Sequence, residues 1–245
     1  MKLPPEWETF LFPPGESKGS DLKNFYTSLG LFLKEFNSII PPKKQIFKVF
    51  TYIKPSKVKV ILFGEDPYPR VTSACGVAFW DMEVDTWDTS TRGSCLKNIL
   101  KGLLVYKGLA SYNTPITECR AIAGERGMKS PPELFEYWLK KGVLLVNTAL
   151  TYTSAADKKR HFSFWENFHK NLIEKLNRRR GLSPLYILWG GKAQKWQKII
   201  EDSIDDKEKI ICQGHPTFVH QFLDKENPAF SPFFELSEKT GITWC

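Results

Sequence analysis

The chain has 245 residues, a length that suits one α/β domain, and we expect residues 1–245 to form a single domain. Apolar residues make up 42% of the chain and charged residues 25%, so it can bury a sizeable core without disulfides or a structural metal. The net charge of +8 favours a polyanionic partner, with nucleic acid first, although many globular proteins are equally basic.

Residues 1–20 are rich in Pro, Gly and Ser and predict an irregular lead-in. Apolar residues at helical spacing then predict a series of helices, over about 21–39, 45–52, from Ser94, from Pro131, 164–179, 193–204 and 228–239. Weak patterns over 71–93 and 151–163 predict long loops.

Four apolar runs of strand length lie between these helices, at Val58–Phe63, Val143–Asn147, Leu185–Trp189 and Lys209–Cys212. Strands that alternate with helices favour a sheet covered on both faces. We therefore predict an α/β fold, a three-layer α/β/α sandwich with a central four-stranded, mostly parallel sheet.

The five cysteines are scattered and form no C-x-x-C pair, which argues against a zinc ribbon or an iron–sulfur cluster. Free thiols indicate a reducing compartment, so we expect a cytoplasmic or nuclear protein that is not secreted. The first residues lack the apolar segment of a signal peptide, and no stretch approaches the roughly 18 apolar residues of a membrane span.

Two clusters of cations are candidates for phosphate contact. Arg178–Arg180 lies at a predicted helix C-terminus, where cations interact favourably with the helix dipole, so a structural role is the preferred interpretation. Lys158–Arg160 lies in a predicted loop, and for it phosphate contact and plain solvation stay equally open.

Polar residues follow three of the predicted strands. The segment Gly64–Arg70 (GEDPYPR) follows the first strand, Asn147 ends the second, and His215 comes after the fourth. Ligands of open parallel sheets bind outside the carboxyl ends of the strands, so a carboxylate, a carboxamide and an imidazole are expected at one edge. Each alone has a plainer interpretation, such as an Asp-Pro turn at Asp66, and only their convergence favours a functional site.

The segment Val58–Arg70, VKVILFGEDPYPR, resembles the signature of family-1 uracil-DNA glycosylases, whose motif reads GQDPYH. The resemblance continues in Gly142–Thr151 (GVLLVNTALT), in Ile187–Gln194 (ILWGGKAQ) and in His215–Thr217, where the family has HPS. It keeps order and spacing from about residue 40 to the C-terminus. It implies an enzyme that flips uracil out of DNA and hydrolyses its N-glycosidic bond, with no metal and no cofactor.

The resemblance also implies roles for individual residues. Two would be catalytic: Asp66, which faces the sugar cation, and His215, which hydrogen-bonds uracil O2. Four would bind the base. Glu65 would contribute a backbone N–H, and the Tyr68 ring would exclude a C5 methyl. Phe79 would stack on the base, and Asn147 would read the pyrimidine edge. Four more would contact DNA: Ser94 and Thr217 as phosphate ligands, and Val219, helped by Phe218, as the intercalating wedge.

The chain departs from the family pattern at Glu65 (Gln in the family), at Pro69 (His) and in the loop HPTFV (HPSPL). The sequence Asp-Pro-Tyr-Pro resembles the poxviral branch, whose member also serves as a replication processivity factor. Two alternatives therefore stay open, a DNA-binding accessory or scaffold protein and a relative that acts on another base such as hypoxanthine. The expected partner is uracil-containing DNA, single- or double-stranded, and we expect a monomer with no membrane contact; a proteinaceous inhibitor or a replication partner stays open.

Overall fold

A computed structural model describes residues 1–15, 22–88, 94–179 and 182–245, and in these ranges the chain forms eleven α-helices and four strands. The strands are β1 (Val60–Gly64), β2 (Val143–Asn147), β3 (Leu185–Trp189) and β4 (Ile210–Gln213). The helices are α1 (Pro5–Leu11), α2 (Leu22–Lys34), α3 (Lys48–Tyr52), α4 (Ser94–Tyr106), α5 (Ile116–Glu125), α6 (Pro131–Lys140), α7 (Lys158–Asn177), α8 (Gly190–Gln194), α9 (Gln197–Glu201), α10 (Val219–Phe222) and α11 (Pro232–Thr240).

The four strands form one sheet in the order β2-β1-β3-β4, and every neighbouring pair is parallel. All residues of β1 and β2 are buried, as expected for a parallel sheet covered on both faces. The predicted sheet is thus confirmed, and it is parallel throughout. Since the strands run the same way, their carboxyl ends meet at one edge.

Helices cover both faces of this sheet. Phe63 of β1 packs against His169 of α7, with ring centroids 6.0 Å apart. Phe63 pairs in register with Leu188, so the next residue of β3, Trp189, projects from the opposite face. Trp189 there contacts Phe233 of α11 at 6.1 Å. The three-layer α/β/α prediction is confirmed.

The N-terminal segment differs from the prediction of an irregular lead-in, which is wrong over Pro5–Leu11, because that range forms α1. Trp7 and Leu11 are fully buried, and Trp7 Nε1 donates a hydrogen bond of 2.7 Å to the Ile53 carbonyl. Proline at the start and glutamates in the first turn both favour a helix N-terminus. A helix of seven residues is too short for apolar periodicity to reveal it.

Helix α7 begins at Lys158, six residues before its predicted start, so the predicted loop over 151–163 is wrong from residue 158 onward. The first turn, KKRH, is polar and hides the helical period. His161 is nevertheless buried, because Thr151 Oγ1 lies 2.8 Å from its Nδ1 and Thr153 Oγ1 lies 3.0 Å from its Nε2. Two side-chain hydrogen bonds thus satisfy this buried imidazole, in a helical turn that apolar periodicity does not reveal.

Other elements differ in detail. Helix α5 was not predicted, because it buries only Cys119 and Ala123 and so has little apolar pattern. The predicted helix over 193–204 is two short helices, α8 and α9. In the predicted loop over 71–93, residues 71–88 contain no helix or strand, and 89–93 lie outside the described residues.

The structural interpretation of the arginine cluster is confirmed for two of its members. Arg178 forms an ion pair with Glu174 one turn away, at 2.5 Å. Arg179 donates hydrogen bonds to the carbonyls of Pro55 and Val58, at 2.7 and 2.8 Å. Arg180 lies outside the described residues. In the part of the chain that the structure describes, no helix is both long and apolar enough to cross a membrane.

Candidate active site

A pocket opens at the carboxyl edge of the sheet, where the segment after β1, the end of β2 and the segment after β4 meet. Its volume is about 170 Å³. Pockets for drug-sized ligands measure about 300–1,000 Å³, so this one suits a single small ring. Residues from all three segments line it, including Glu65, Asp66, Tyr68, Phe79, Cys95, Asn147 and His215.

Asn147 is the last residue of β2 and lies beside Gly64 in the ladder between β1 and β2. Its side chain occupies the space that a Cβ at residue 64 would need, and that Cβ would also lie 2.8 Å from the Ala78 Cβ. Gly64 therefore makes room for the carboxamide. An amide both donates and accepts, so Asn147 can pair with an N–H next to a carbonyl on a ring edge.

Phe79 lines the pocket with a backbone φ of 65°, a region that non-glycine residues rarely occupy. Such backbone costs on the order of 1–3 kcal/mol and persists only where the surroundings impose it. Tyr68 Oη donates to the Phe79 carbonyl at 3.3 Å, and the N–H of Ala78 donates to Leu145 at 3.1 Å. These bonds hold the Phe79 ring in the pocket wall, 5.4 Å from Trp189.

His215 follows β4, and its ring nitrogens have distinct roles. The backbone N–H of Thr217 donates to Nδ1 at 3.1 Å, which leaves the proton of the neutral ring on Nε2. Burial lowers the pKa of His215, with Glu65 acting in the opposite direction. Gly190, at φ 81°, permits the close approach, because a Cβ there would lie 2.6 Å from the His215 Cβ. A neutral imidazole can therefore donate an N–H into the pocket.

The loop after β4 is tied to the first turn of α4. Cys95 Sγ and Thr217 Oγ1 share a hydrogen bond of 2.8 Å, and Asn98 Nδ2 donates to the Pro216 carbonyl at 2.6 Å. Ser94 begins α4, so its backbone adjoins this contact, but its side chain lies outside the described residues. The two predicted phosphate ligands, Ser94 and Thr217, thus come from neighbouring elements.

Asp66 presents its carboxylate in the segment after β1, with 14% of its side chain exposed. Burial raises the pKa of the Asp66 carboxyl, and the Lys158 ammonium, 3.1 Å from Oδ2, opposes that rise. The same ammonium lies 2.8 Å from Glu65 Oε1, and Lys192 lies 3.9 Å from that oxygen. Two adjacent carboxylates are therefore held together by a cation from α7.

A wider groove adjoins the pocket, and four lysines line it: Lys158, Lys159, Lys192 and Lys195. We call it the lysine groove; its volume is about 760 Å³. Lys158 and Lys192 are the two cations that approach Glu65, so the groove begins where the pocket ends. Its surface favours an anionic chain. The described residues contain no cluster of three or more His, Cys, Asp or Glu with the spacing of a metal site.

A sequence model of the "Uracil DNA glycosylase superfamily" matches residues 50–235. The chain belongs to this superfamily. It is 29% identical over 215 residues to the uracil-DNA glycosylase of Ureaplasma parvum, a match that covers 86% of this chain and 85% of the relative. It is 28% identical over 216 residues to the uracil-DNA glycosylase of Bacillus cereus, with coverages of 86% and 81%.

Solved structures of the superfamily share the fold. A point mutant of the UNG of Nitratifractor salsuginis superposes with a TM-score of 0.74 at 28% identity, covering 97% of this chain and 92% of that one. The wild-type protein gives a TM-score of 0.67 at 28% identity, with coverages of 89% and 85%. Mimivirus uracil-DNA glycosylase supports the fold alone. It is 24% identical and superposes with a TM-score of 0.59, covering 86% of this chain and 68% of that one.

The structure brings six of the ten predicted site residues into one pocket, namely Glu65, Asp66, Tyr68, Phe79, Asn147 and His215. Of the predicted wedge residues, Phe218 is 50% exposed, whereas Val219 begins α10 and packs partly against the core. The roles of these residues in the superfamily's reaction stay predictions.

Sequence reasoning missed Lys158 as part of the site. The interpretation of plain solvation is wrong for Lys158, because it pairs with Glu65 and Asp66; phosphate contact by Lys158 stays a prediction. Arg160, two residues on, instead pairs with Glu35 and Asp157. The sequence signal for Lys158 was the run of three cations at the start of an amphipathic segment. That signal points to the site only when the segment is known to be a helix that begins at Lys158.

Proposed function

We propose that this member of the superfamily excises uracil from DNA, releasing free uracil and leaving an abasic site. One observation carries the proposal: the Asn147 carboxamide, the Nε2–H of a neutral His215 and the Asp66 carboxylate line one pocket of single-ring size. Enzymes that act on a base take it out of the stack, so the pocket would receive a flipped nucleotide.

Recognition of the base follows from hydrogen-bond polarity and steric volume. Asn147 would accept from uracil N3–H and donate to O4. Cytosine reverses that pattern and leaves polar groups unpaired, at a cost of about 1–3 kcal/mol each. The Tyr68 ring would exclude the C5 methyl of thymine, and stacking on Phe79 would return on the order of 1–3 kcal/mol of the cost of flipping.

In the reaction the bond between C1′ and N1 breaks, the electron pair leaves with uracil, and the oxygen of water bonds to C1′. The proton that the water loses ends on the uracil anion, which gives free uracil. The sugar becomes cationic on the way, and the Asp66 carboxylate would stabilise that charge and orient the water. Uracil leaves as an anion, and the Nε2–H of His215 would hydrogen-bond its O2. Backbone N–H groups near Glu65 and Asp66 would add to this stabilisation.

Extrusion of the nucleotide costs a few kcal/mol of stacking and pairing, which an apolar wedge offsets by filling the gap. Phe218, half exposed beside the pocket loop, suits this role better than Val219, which packs partly on the core. Ser94 and Thr217 would hold the flanking phosphates. Residues 1–245 would act as one domain and as a monomer, without metal or cofactor.

The deciding assay measures free base released from oligonucleotides that carry uracil, thymine, hypoxanthine or xanthine, in single- and double-stranded form. We expect uracil release alone, and loss of release in Asp66→Asn. Faster release of hypoxanthine would favour the alternative base specificity. Tight DNA binding with no release of any base would favour the accessory or scaffold protein and overturn the proposal.

A further inference from the structure

Helix α7 opens with three cations, Lys158, Lys159 and Arg160, and has no acidic residue in its first turn. The N-terminus of a helix carries partial positive charge, so cations there are disfavoured. Sequences that break a local electrostatic preference tend to do so at functional or strained sites. Arg160 is compensated by Asp157, which precedes the helix, and by Glu35, so Lys158 needs an anion of its own.

The compensation for Lys158 comes from the active-site pocket. Its ammonium bonds Oε1 of Glu65, 93 residues away in sequence, at 2.8 Å and lies 3.1 Å from Asp66 Oδ2. The exposed side-chain fractions are 35% for Lys158, 27% for Glu65 and 14% for Asp66. Solvent screens such a cluster less than it screens a surface ion pair.

Two adjacent carboxylates repel each other, so a cation between them stabilises the pair more than it would stabilise a single carboxylate. Glu65 and Asp66 are adjacent in sequence and line the same pocket, and burial and the neighbouring Glu65 charge both raise the pKa of the Asp66 carboxyl. The charged groups that face Asp66 are Lys158 from α7, Glu65 from its own segment and Lys192 from α8. Lys192 is 59% exposed and 3.9 Å from Glu65, so it is the weaker partner. Lys158 is thus the main counterion.

We propose that Lys158 is a positioning residue for base excision: it neutralises Glu65 and holds the Asp66 carboxylate ionised and oriented toward the sugar. Glu65 and Lys158 then form one charge-balanced unit, so the effect of changing either depends on the other. The inference rests on the proposed function, because it assigns Asp66 its part in that reaction. It predicts coupling in the pH profile of the reaction, which an ion pair that only stabilises the fold does not show.

The test is a set of pH profiles of kcat/KM for uracil release by wild type, Lys158→Met, Lys158→Arg, Glu65→Gln and the double variant Glu65→Gln/Lys158→Met. In Lys158→Met the midpoint of the acid limb should rise by about one pH unit or more, with activity recovering at higher pH. In the double variant the rise should be clearly smaller, since the second carboxylate is neutral. Lys158→Arg should keep the wild-type limb. Lys170→Met, a charge loss further along α7, is the matched control and should leave the limb in place.

A merely structural role of Lys158 would lower activity equally at all pH values, both in the presence and in the absence of the Glu65→Gln substitution. Either that result or an unmoved acid limb in Lys158→Met would overturn the proposal. A direct measurement separates it from the proposed function: NMR titration of the Asp66 side-chain carboxyl, assigned by its loss in Asp66→Asn. The carboxyl should titrate at higher pH in Lys158→Met than in wild type, even in a protein that releases no base, and an unchanged titration would refute the inference.

Discussion

Replacing Gly64 by alanine puts a methyl group where the Asn147 side chain now lies. A Cβ at this position would overlap Asn147 Oδ1 and lie 2.8 Å from the Ala78 Cβ, closer than real Cβ atoms approach. Gly64 is buried at the end of β1, and its carbonyl accepts a hydrogen bond from Thr148 at 2.9 Å, so the backbone has little freedom to retreat. The amide of Asn147 must therefore move.

The size of the effect follows from two terms. Overpacking of a closely packed site costs about 1–3 kcal/mol, and 1 kcal/mol lowers the Tm of a chain of this length by about 2–4 °C, so Tm should fall by about 2–12 °C. If Asn147 makes two hydrogen bonds to uracil, each contributing about 0.5–1.5 kcal/mol, its displacement removes about 1–3 kcal/mol. That loss corresponds to a decrease in kcat/KM of about 5- to 150-fold.

The assay compares wild type and Gly64→Ala in thermal unfolding and in kcat/KM for uracil release. Gly30→Ala is the control, because nothing lies within 4 Å of a Cβ there and alanine favours the helix, so activity should hold and Tm should not fall. In the Asn147→Ala background, Gly64→Ala should cost less stability than in wild type, since the overlapping amide is gone. Wild-type values of both Tm and kcat/KM in Gly64→Ala would refute this account of the pocket.

Five further outcomes are expected. Asp66→Asn should slow base release by orders of magnitude while DNA binding persists; near-normal turnover would remove Asp66 from its catalytic role. Asn147→Asp should admit cytosine, because a carboxylate accepts from the cytosine amino group, and Tyr68→Ala should admit thymine; a gain of thymine by Asn147→Asp would contradict both assignments. Lys159→Ala/Lys195→Ala should flatten the slope of log affinity for single-stranded DNA against log salt by about 1.4 if both lysines contact phosphate. Excess EDTA should leave uracil release unchanged; loss of activity that added metal restores would show that a metal takes part.

The lysine prediction has a matched control. Lys57 and Lys207 are exposed residues that precede β1 and β4, so they lie at the edge of the sheet opposite the pocket. Lys57→Ala/Lys207→Ala removes the same net charge and should leave the salt slope near that of wild type. An equal flattening by both double variants would mean that total charge, and not the lysine groove, drives DNA binding.

Much of the fold could be predicted from local pattern. The buried runs at Val143–Asn147 and Leu185–Trp189 are strands with the predicted bounds, because residues buried on both faces form unbroken apolar segments. Parallel strands bring their carboxyl ends to one edge whatever the details of packing. The proximity of Asp66, Asn147 and His215 therefore followed from the chain order of strands and polar residues alone.

Other features depend on contacts between segments far apart in the chain, which no local window of residues contains. The burial of Trp7 requires the carbonyl of Ile53, and the proton on His215 Nε2 depends on where the Thr217 N–H points. The pairing of Lys158 with Glu65 spans 93 residues. Sequence periodicity reports which face of an element is apolar, whereas an ion pair depends on a distance of a few ångströms between two elements, and only the packed tertiary structure sets that distance.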